Sequence, residues 1–235
     1  MAWAAGYIDV VGWLAVFHVY VSHMTGNTAS FGHDVAGGKL SQAFEHAWPI
    51  IPFIAGLLYS AATTKIARRK GFHSSFSVAL TTELMLLIAA IAINDGGYAV
   101  LSLLTAAMGI QTVTVTRING LRVYTTYLTG SLSKFSEAVV DFAFWVHDRT
   151  RGRVWERLGR VLRVSPRQKC FQHAALTAGL WIGFFTGAVC GAAAQARFAL
   201  FSLIAPMAIV FFAVVIDLRW PVAAADEPAE IWSAH

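Results

Sequence analysis

Two carboxylates lie inside runs of apolar residues, and that is the first chemistry the sequence offers. Glu83 sits in Ala79-Leu-Thr-Thr-Glu-Leu-Met-Leu-Leu-Ile-Ala89 and Asp9 in the apolar N-terminal run. On insertion scales an ionised carboxylate at the centre of a membrane helix costs about 2.5 to 3.5 kcal/mol. Each therefore has one of two roles. It pairs with a cation or polar network to hold structure, or it takes up a proton or ion during transport. Around them stand Gln111, which aligns with Asp9 across the two halves of the chain after a two-residue gap, and the cations Arg117 and Arg122. The arginines either neutralise the acids, bind an anionic solute or reach a lipid headgroup. His18 and His23 are proton shuttles or hydrogen-bonded packing. Asp217, close to Arg219 at a helix end, reads as an interfacial pair.

Catalytic constellations are missing from the sequence. It has no HExxH, no GxSxG and no glycine-rich phosphate loop, and its eight histidines are dispersed. Cys170 and Cys190 make neither a disulfide framework nor a CxxC zinc site. No enzyme activity, cofactor or metal is expected.

The elements that must position these groups are membrane helices. Of the 235 residues, 57% are hydrophobic and 13% charged, about half the roughly 25% of soluble domains, and the mean hydropathy is +0.58. Apolar stretches run over 4–22, 50–66, 76–93, 98–115, 174–196 and 198–216, each near the length a bilayer-spanning helix needs. The expected fold is an all-α integral membrane protein with six transmembrane helices. Gly96-Gly97 separates the third from the fourth, Arg197 marks a tight turn before the sixth, and Pro221 ends it.

Of 18 Lys and Arg, four lie at Lys65, Arg68, Arg69 and Lys70, and nine between Lys134 and Lys169. Two basic loops hold 13 of the 18, as the positive-inside rule places them, so both loops and both termini are expected on the cytoplasmic face of a bacterial inner membrane. The pI near 9.5 thus reflects topology, and no nucleic-acid partner is expected. Residues 149–169 alternate Val154, Trp155, Leu158, Val161 and Leu162 with arginines, a stretch suited to lying on anionic lipid. Residues 223–235 form a short acidic tail. The N-terminus has no basic n-region or cleavage site of a removable signal peptide.

An internal repeat organises the chain. His18-Val-Tyr-Val-Ser-His-Met-Thr-Gly-Asn27 aligns without a gap on Arg122-Val-Tyr-Thr-Thr-Tyr-Leu-Thr-Gly-Ser131, and Ala55-Gly56 with Ser60 resembles Thr186-Gly187 with Gly191. Two three-helix repeats are expected, residues 1–93 and 94–222. An odd helix count per repeat inverts the second copy in the membrane. Residues 98–131 would make one helix of about 51 Å against a hydrocarbon core of about 30 Å, so the chain must break there. Asn119-Gly120 and Thr129-Gly130-Ser131 are the expected breaks, with Thr25-Gly26-Asn27 matching in the first half. Such paired interruptions either form a binding site within the membrane or are turns just outside it.

At these residues the chain resembles a known family. Ala5-Gly6-Tyr-Ile-Asp9, Val21-Ser-His-Met-Thr-Gly-Asn27, Met108-Gly-Ile-Gln111 and Thr125-Thr-Tyr-Leu-Thr-Gly130 are similar to motifs of the YoaK-like family of bacterial multi-pass membrane proteins, domain of unknown function number 1275. The resemblance implies a six-helix inner-membrane protein and assigns no activity or substrate. Where that family usually has Asn after Gln, this chain has Thr112. The family also carries more apolar residues before the Ala-Gly step, so Met1 reads as a late start with a shortened first helix.

Together these features point to a small secondary transporter for a polar solute or ion. Thr25, Asn27, Gln111, Thr129 and Ser131 are expected at a central polar site, with Asp9 and Glu83 as coupling-ion or proton groups. The alternative is a non-transporting scaffold or sensor that binds protein partners or anionic lipid. Small-xxx-small helix faces also favour a homodimer.

Overall fold

The computed structural model describes residues 1–72, 76–114, 117–118, 121–122, 128–150 and 163–220. They are helical almost throughout: α1 (Ala2–Ala15), α2 (Met24–Ala36), α3 (Leu40–Ala47), α4 (Ile50–Arg69), α5 (Ser77–Ile93), α6 (Tyr98–Val113), α7 (Leu128–Thr150), α8 (Lys169–Phe198) and α9 (Ile204–Arg219). Short 3₁₀ turns at Ser165–Arg167 and Ala199–Leu203 flank α8. Arg117–Ile118 pairs antiparallel with Leu121–Arg122. The expected break at Asn119-Gly120, residues 151–162 of the stretch expected on lipid and the acidic tail lie outside the described residues; Arg149 and Thr150 end α7, and Lys169 opens α8.

The apolar side chains explain why this bundle suits lipid. Ile51, Leu58, Met85, Ile182, Phe185 and Phe212 point outward and are each more than 60% exposed. Each would forfeit about 1.5–3 kcal/mol of transfer free energy in water, a loss that hydrocarbon removes. The stretches Leu40–Ala67 and Lys169–Arg219 are long and apolar enough to cross a bilayer, and α5 and α6 are shorter apolar helices. The protein is an all-helical membrane protein.

Two helix seams dominate the interior, α1 against α8 and α4 against α6. Both close on glycine. A Cβ added at Gly6 would strike the carbonyl oxygen of Phe184, and one at Gly187 that of Trp3. In the other seam, Gly109 meets the carbonyl of Phe53 and Gly56 that of Ala106. The correspondence is systematic. Gly6 and Trp3 become Gly109 and Ala106 on adding 103, while Phe53 and Gly56 become Phe184 and Gly187 on adding 131. Each seam thus joins a helix from residues 1–93 to one from residues 94–222.

Several helix ends fall where expected and others do not. Asn94 is left-handed (φ 46°), and Asp95 Oδ1 accepts the Gly97 N–H at 3.1 Å, so the chain turns between α5 and α6 at the expected glycines. Ala199 (φ 48°) turns the chain two residues beyond Arg197. The first span, expected over 4–22, ends at Ala15. Phe17 and His18 adopt left-handed φ of 53° and 54°, and the chain stays irregular to His23. For L-residues this conformation costs roughly 1–2 kcal/mol each. Ring contacts hold it: Phe17 lies 4.8 Å from Tyr98, and His18 meets Trp13 edge-on at 4.8 Å.

The break is therefore at residues 16–23, and the expected interruption at Thr25-Gly26-Asn27 is corrected. Those residues form the first turn of α2, and Thr129-Gly130-Ser131 likewise falls in the first turn of α7. Met24 and Leu128, the first residues of these two helices, are 104 apart. Asp217 is also corrected. Residues two apart on a helix do not face each other. Instead of pairing with Arg219, the buried Asp217 accepts the Phe76 N–H at 3.3 Å through Oδ2, tying the start of α5 to α9.

Candidate functional site

The irregular segment after α1 is held by one carboxylate. Asp9 is 1% exposed, and its Oδ1 accepts the Ser22 N–H at 2.8 Å. Its Oδ2 lies 2.7 Å from His23 Nδ1. Asn27 completes the set from the first turn of α2 by donating Nδ2–H to the Tyr20 carbonyl at 2.7 Å. The His23 ring lies edge-on to Tyr20 at 5.1 Å and to Phe184 of α8 at 5.8 Å. A membrane helix that stops leaves backbone groups unpaired, and low dielectric makes each expensive. Asp9, Asn27 and the segment between them meet that need locally. His23 and Ser22 carry this clamp beside Asp9. Sequence reading named no partner for His23 because the pairing crosses a break that apolar periodicity does not reveal.

The other expected site residues are distributed differently. Thr25 is exposed, on the opposite side of the α2 turn from the buried Asn27. Asn27→Ala is therefore expected to lower stability by about 1 kcal/mol, the net worth of one buried hydrogen bond, and Thr25→Val to leave it within about 0.5 kcal/mol. Thermal melts of the purified variants check this. Ser131 is buried in the first turn of α7, and the Thr129 side chain lies outside the described residues.

Glu83 and Gln111 occupy a separate layer. Glu83 is fully buried on α5 and Gln111 is 1% exposed on α6. Among the described residues, neither carboxylate oxygen of Glu83 and neither amide atom of Gln111 has a hydrogen-bond partner. The Met1 ammonium interacts electrostatically with Glu83, without an ion pair or hydrogen bond between them. Asp9 does not join this layer. Ala15 lies beside Gly96, so α1 and α6 meet end to start. Asp9 is about 9 Å along the helix from that point and Gln111 about 20 Å from Tyr98. The glycine seams also shift the comparison of the halves by one residue, so that Asp9 corresponds to Thr112, whose hydroxyl donates to the Met108 carbonyl of its own helix at 2.7 Å.

Ser60 was visible in the sequence only as a small residue on a packing face. In the structure it is fully buried with its hydroxyl unpartnered, one turn beyond Gly56 on the α4 face that meets α6. Among the described residues no group of three or more His, Cys, Asp or Glu side chains could hold a metal. Cys170 and Cys190 are free thiols.

With this geometry established, comparison with known proteins gives two matches. The family model described as Protein of unknown function (DUF1275) matches residues 1–216. The chain is also similar to UPF0700 transmembrane protein YoaK of Bacillus subtilis (strain 168), with 23% identity over 212 residues, covering 88% of this chain and 86% of that one. No solved structure matches.

Proposed function

Since the chain belongs to the DUF1275 family, whose description leaves the activity open, we propose that it is a small secondary transporter of a polar solute or ion, built from two inverted three-helix repeats. The observation that carries this reading is the crossed glycine seams. Gly6 and Gly187 close one seam as Gly109 and Gly56 close the other, with constant shifts between them. Matched halves that exchange their first helices can rock about the shared seams, and a site between them is then exposed to alternate sides.

Six helices supply the spans in this reading: α1 with its irregular extension, α4, α5, α6, α8 and α9. Both basic clusters and both ends of the chain face the cytoplasm of a bacterial inner membrane. Asp9 holds the first break closed, and Glu83 with Gln111 forms the charged layer that binds and releases the coupling ion. Asn27 and Ser131 lie in the first turns of α2 and α7, where this reading places the polar site for the solute.

Reconstitution tests the proposal. Purified protein in liposomes, offered a panel of radiolabelled small polar metabolites and inorganic ions under sodium, potassium and pH gradients, is expected to accumulate at least one in a saturable way. Glu83→Gln is expected to reduce that uptake at least tenfold. No uptake above protein-free liposomes across the panel, or uptake indifferent to Glu83→Gln, would overturn it.

A further inference from the structure

Helix α2 is held at both ends by the same chemistry. At its start His23 meets Asp9 of α1 at 2.7 Å, and near its end Asp34 meets His46 of α3 at 2.9 Å. Both carboxylates are buried. Little else fastens the helix. Asn27 and Asp34 are its buried residues, and among the described helices it packs extensively on α3 alone. α3 in turn is anchored to the bundle, since Phe44 and Trp48 meet Tyr98 of α6 edge-on and Trp48 Nε1 donates to Ser102 Oγ at 2.8 Å. Between α2 and α3 the chain turns at Gly38, whose φ of 70° is left-handed.

The hydrogens on the two rings follow from what they face. His46 Nδ1 lies 2.9 Å from Asp34 Oδ2 and 3.1 Å from the Gln42 carbonyl oxygen. An ionised carboxylate and a carbonyl can only accept, so Nδ1 carries a hydrogen. His23 Nδ1 likewise faces Asp9 Oδ2. In each ring Nε2 is then the atom that gains or loses the second proton. With Nε2 protonated, an imidazolium meets a carboxylate in a charge-assisted contact; with Nε2 bare, a neutral ring meets a buried negative charge. The first is the stronger. Each contact is therefore at full strength on the acid side and weakens as pH rises through the histidine range.

Other titratable groups do not compete for these partners. On the elements packed about His23 they are Tyr7 on α1, His18 and Tyr20 before it, and Cys190 and Arg197 on α8. On those about His46 they are His33 on α2, Lys39 and Glu45 beside it, and Tyr98 on α6. Among the described residues none of these is in an ion pair with Asp9 or Asp34. On the two-repeat reading proposed above, the second half lacks both pairs. The shift of 104 takes Asp34 to Ala138 and that of 131 takes His46 to Thr177, both buried, while Asp9 and His23 give way to Thr112 and Tyr127. α7 packs along α8 without them. A helix pair of this kind thus needs no histidine to pack, and the two pairs give the first half a dependence on pH that the second does not have.

We propose that the α2–α3 hairpin is a proton-operated gate: with His23 and His46 protonated, α2 is clamped to α1 and α3, and as they lose their protons α2 swings away about Gly38 and the irregular residues 16–23. On the topology proposed above the hairpin stands on the face of the membrane opposite the basic clusters, so external pH sets the gate.

Cysteine reactivity reads the gate. In full-length protein carrying Cys170→Ser and Cys190→Ser, Ala43→Cys places a thiol at the buried position of α3, and Ser41→Cys places one on its exposed side as reference. Both are reacted with a maleimide in detergent from about pH 5.5 to about pH 8, and the ratio of the two rates cancels the thiol's own gain in reactivity with pH. The ratio is expected to rise by about fivefold or more over that range. Most of the rise should vanish in His46→Gln, and all of it when His23→Gln is added. In the second half, Ala138→Cys referred to the exposed Ser136→Cys should show no rise. If His46→Gln does not fold, amide exchange of the wild type decides: corrected for intrinsic rate, protection of α2 is expected to fall over the same range while that of α6 holds. A ratio that stays flat or falls with pH would overturn the gate. So would the full rise persisting in the double histidine variant, an equal rise at Ala138→Cys, or unchanged protection of α2. A pH-operated gate in a protein that takes up no solute in liposomes leaves this proposal standing and removes the transport reading, while uptake with a flat ratio at Ala43→Cys does the reverse.

Discussion

Gly56→Ala is expected to lower the melting temperature of the purified protein by roughly 5–10 °C, and Gly6→Ala, Gly109→Ala and Gly187→Ala to do the same. A methyl group at any of these positions would overlap a backbone carbonyl of the facing helix. A side chain can rotate out of the way, but a helix backbone can only retreat, and retreat opens the whole seam. Overpacking typically costs about 1–3 kcal/mol and more where nothing can yield. Alanine's better helix propensity returns about 1 kcal/mol, too little to change the sign. Gly26, Gly32 and Gly179 supply the control, since a Cβ there meets nothing within 4 Å. Gly26→Ala and Gly179→Ala are expected to melt at or slightly above wild type. If all the glycine variants melted alike, the crossed seams would not be what holds the bundle together. Leucine at Gly56 or Gly187 is expected to prevent recovery of monodisperse protein.

Asp9→Ala is the second large effect. It removes the acceptor for the Ser22 N–H and the partner of His23 together. A buried N–H left unsatisfied costs about 1–3 kcal/mol, and the loss of the carboxylate–imidazole contact adds to it. The expected drop in melting temperature is on the order of 5–12 °C. Asp9→Asn retains a carbonyl oxygen for Ser22 and an amide beside His23, so it should recover more than half of the lost stability. The same variant separates two roles. If Asp9 only clamps the break, Asp9→Asn keeps both stability and any uptake. If Asp9 also carries a coupling proton or ion, Asp9→Asn stays folded and loses uptake. A fully stable Asp9→Ala would mean that the break is held by the ring contacts of Phe17 and His18 alone.

What the sequence revealed depended on contrast between neighbouring residues. α4, α5, α6, α8 and α9 stand out as apolar runs bounded by Gly96-Gly97, by basic clusters and by Arg197, so their places were legible to within a few residues. The end of α1 was not. Val16, Val19 and Val21 continue the apolar run through the irregular segment, and the turn uses Phe17 and His18 in left-handed conformations where glycine would have announced it. The Thr-Gly pairs misled in the other direction, since their glycines sit in helical first turns. α7 was missed because its polar and apolar residues alternate with no long apolar window, although it packs along α8.

The site was legible in the same uneven way. A carboxylate in an apolar run is conspicuous, and Asp9 and Glu83 are indeed buried. Their surroundings were not visible. His23 reaches Asp9 only because the chain doubles back after α1. Ser60 is as deeply buried as Glu83, but serine on a small-residue face looks like packing until its depth is known. Asp217 was misassigned because proximity in sequence stood in for direction around the helix.

The crossed seams also bear on how the chain is made. A ribosome delivers α1 first, yet the surface that covers Gly6 is Phe184 of α8, so α1 has no mate until almost the whole polypeptide has emerged. α4 waits less, since α6 follows it after one hairpin of helices. The contacts among α4, α5 and α6 are complete within residues 50–113, whereas the seam of α1 closes only with α8. Only when α8 is threaded in can the two ends of the molecule be sewn together. Quality control thus has a natural checkpoint at the last third of translation, and chains that stop before α8 should be cleared by membrane proteases although most of their helices are already in place.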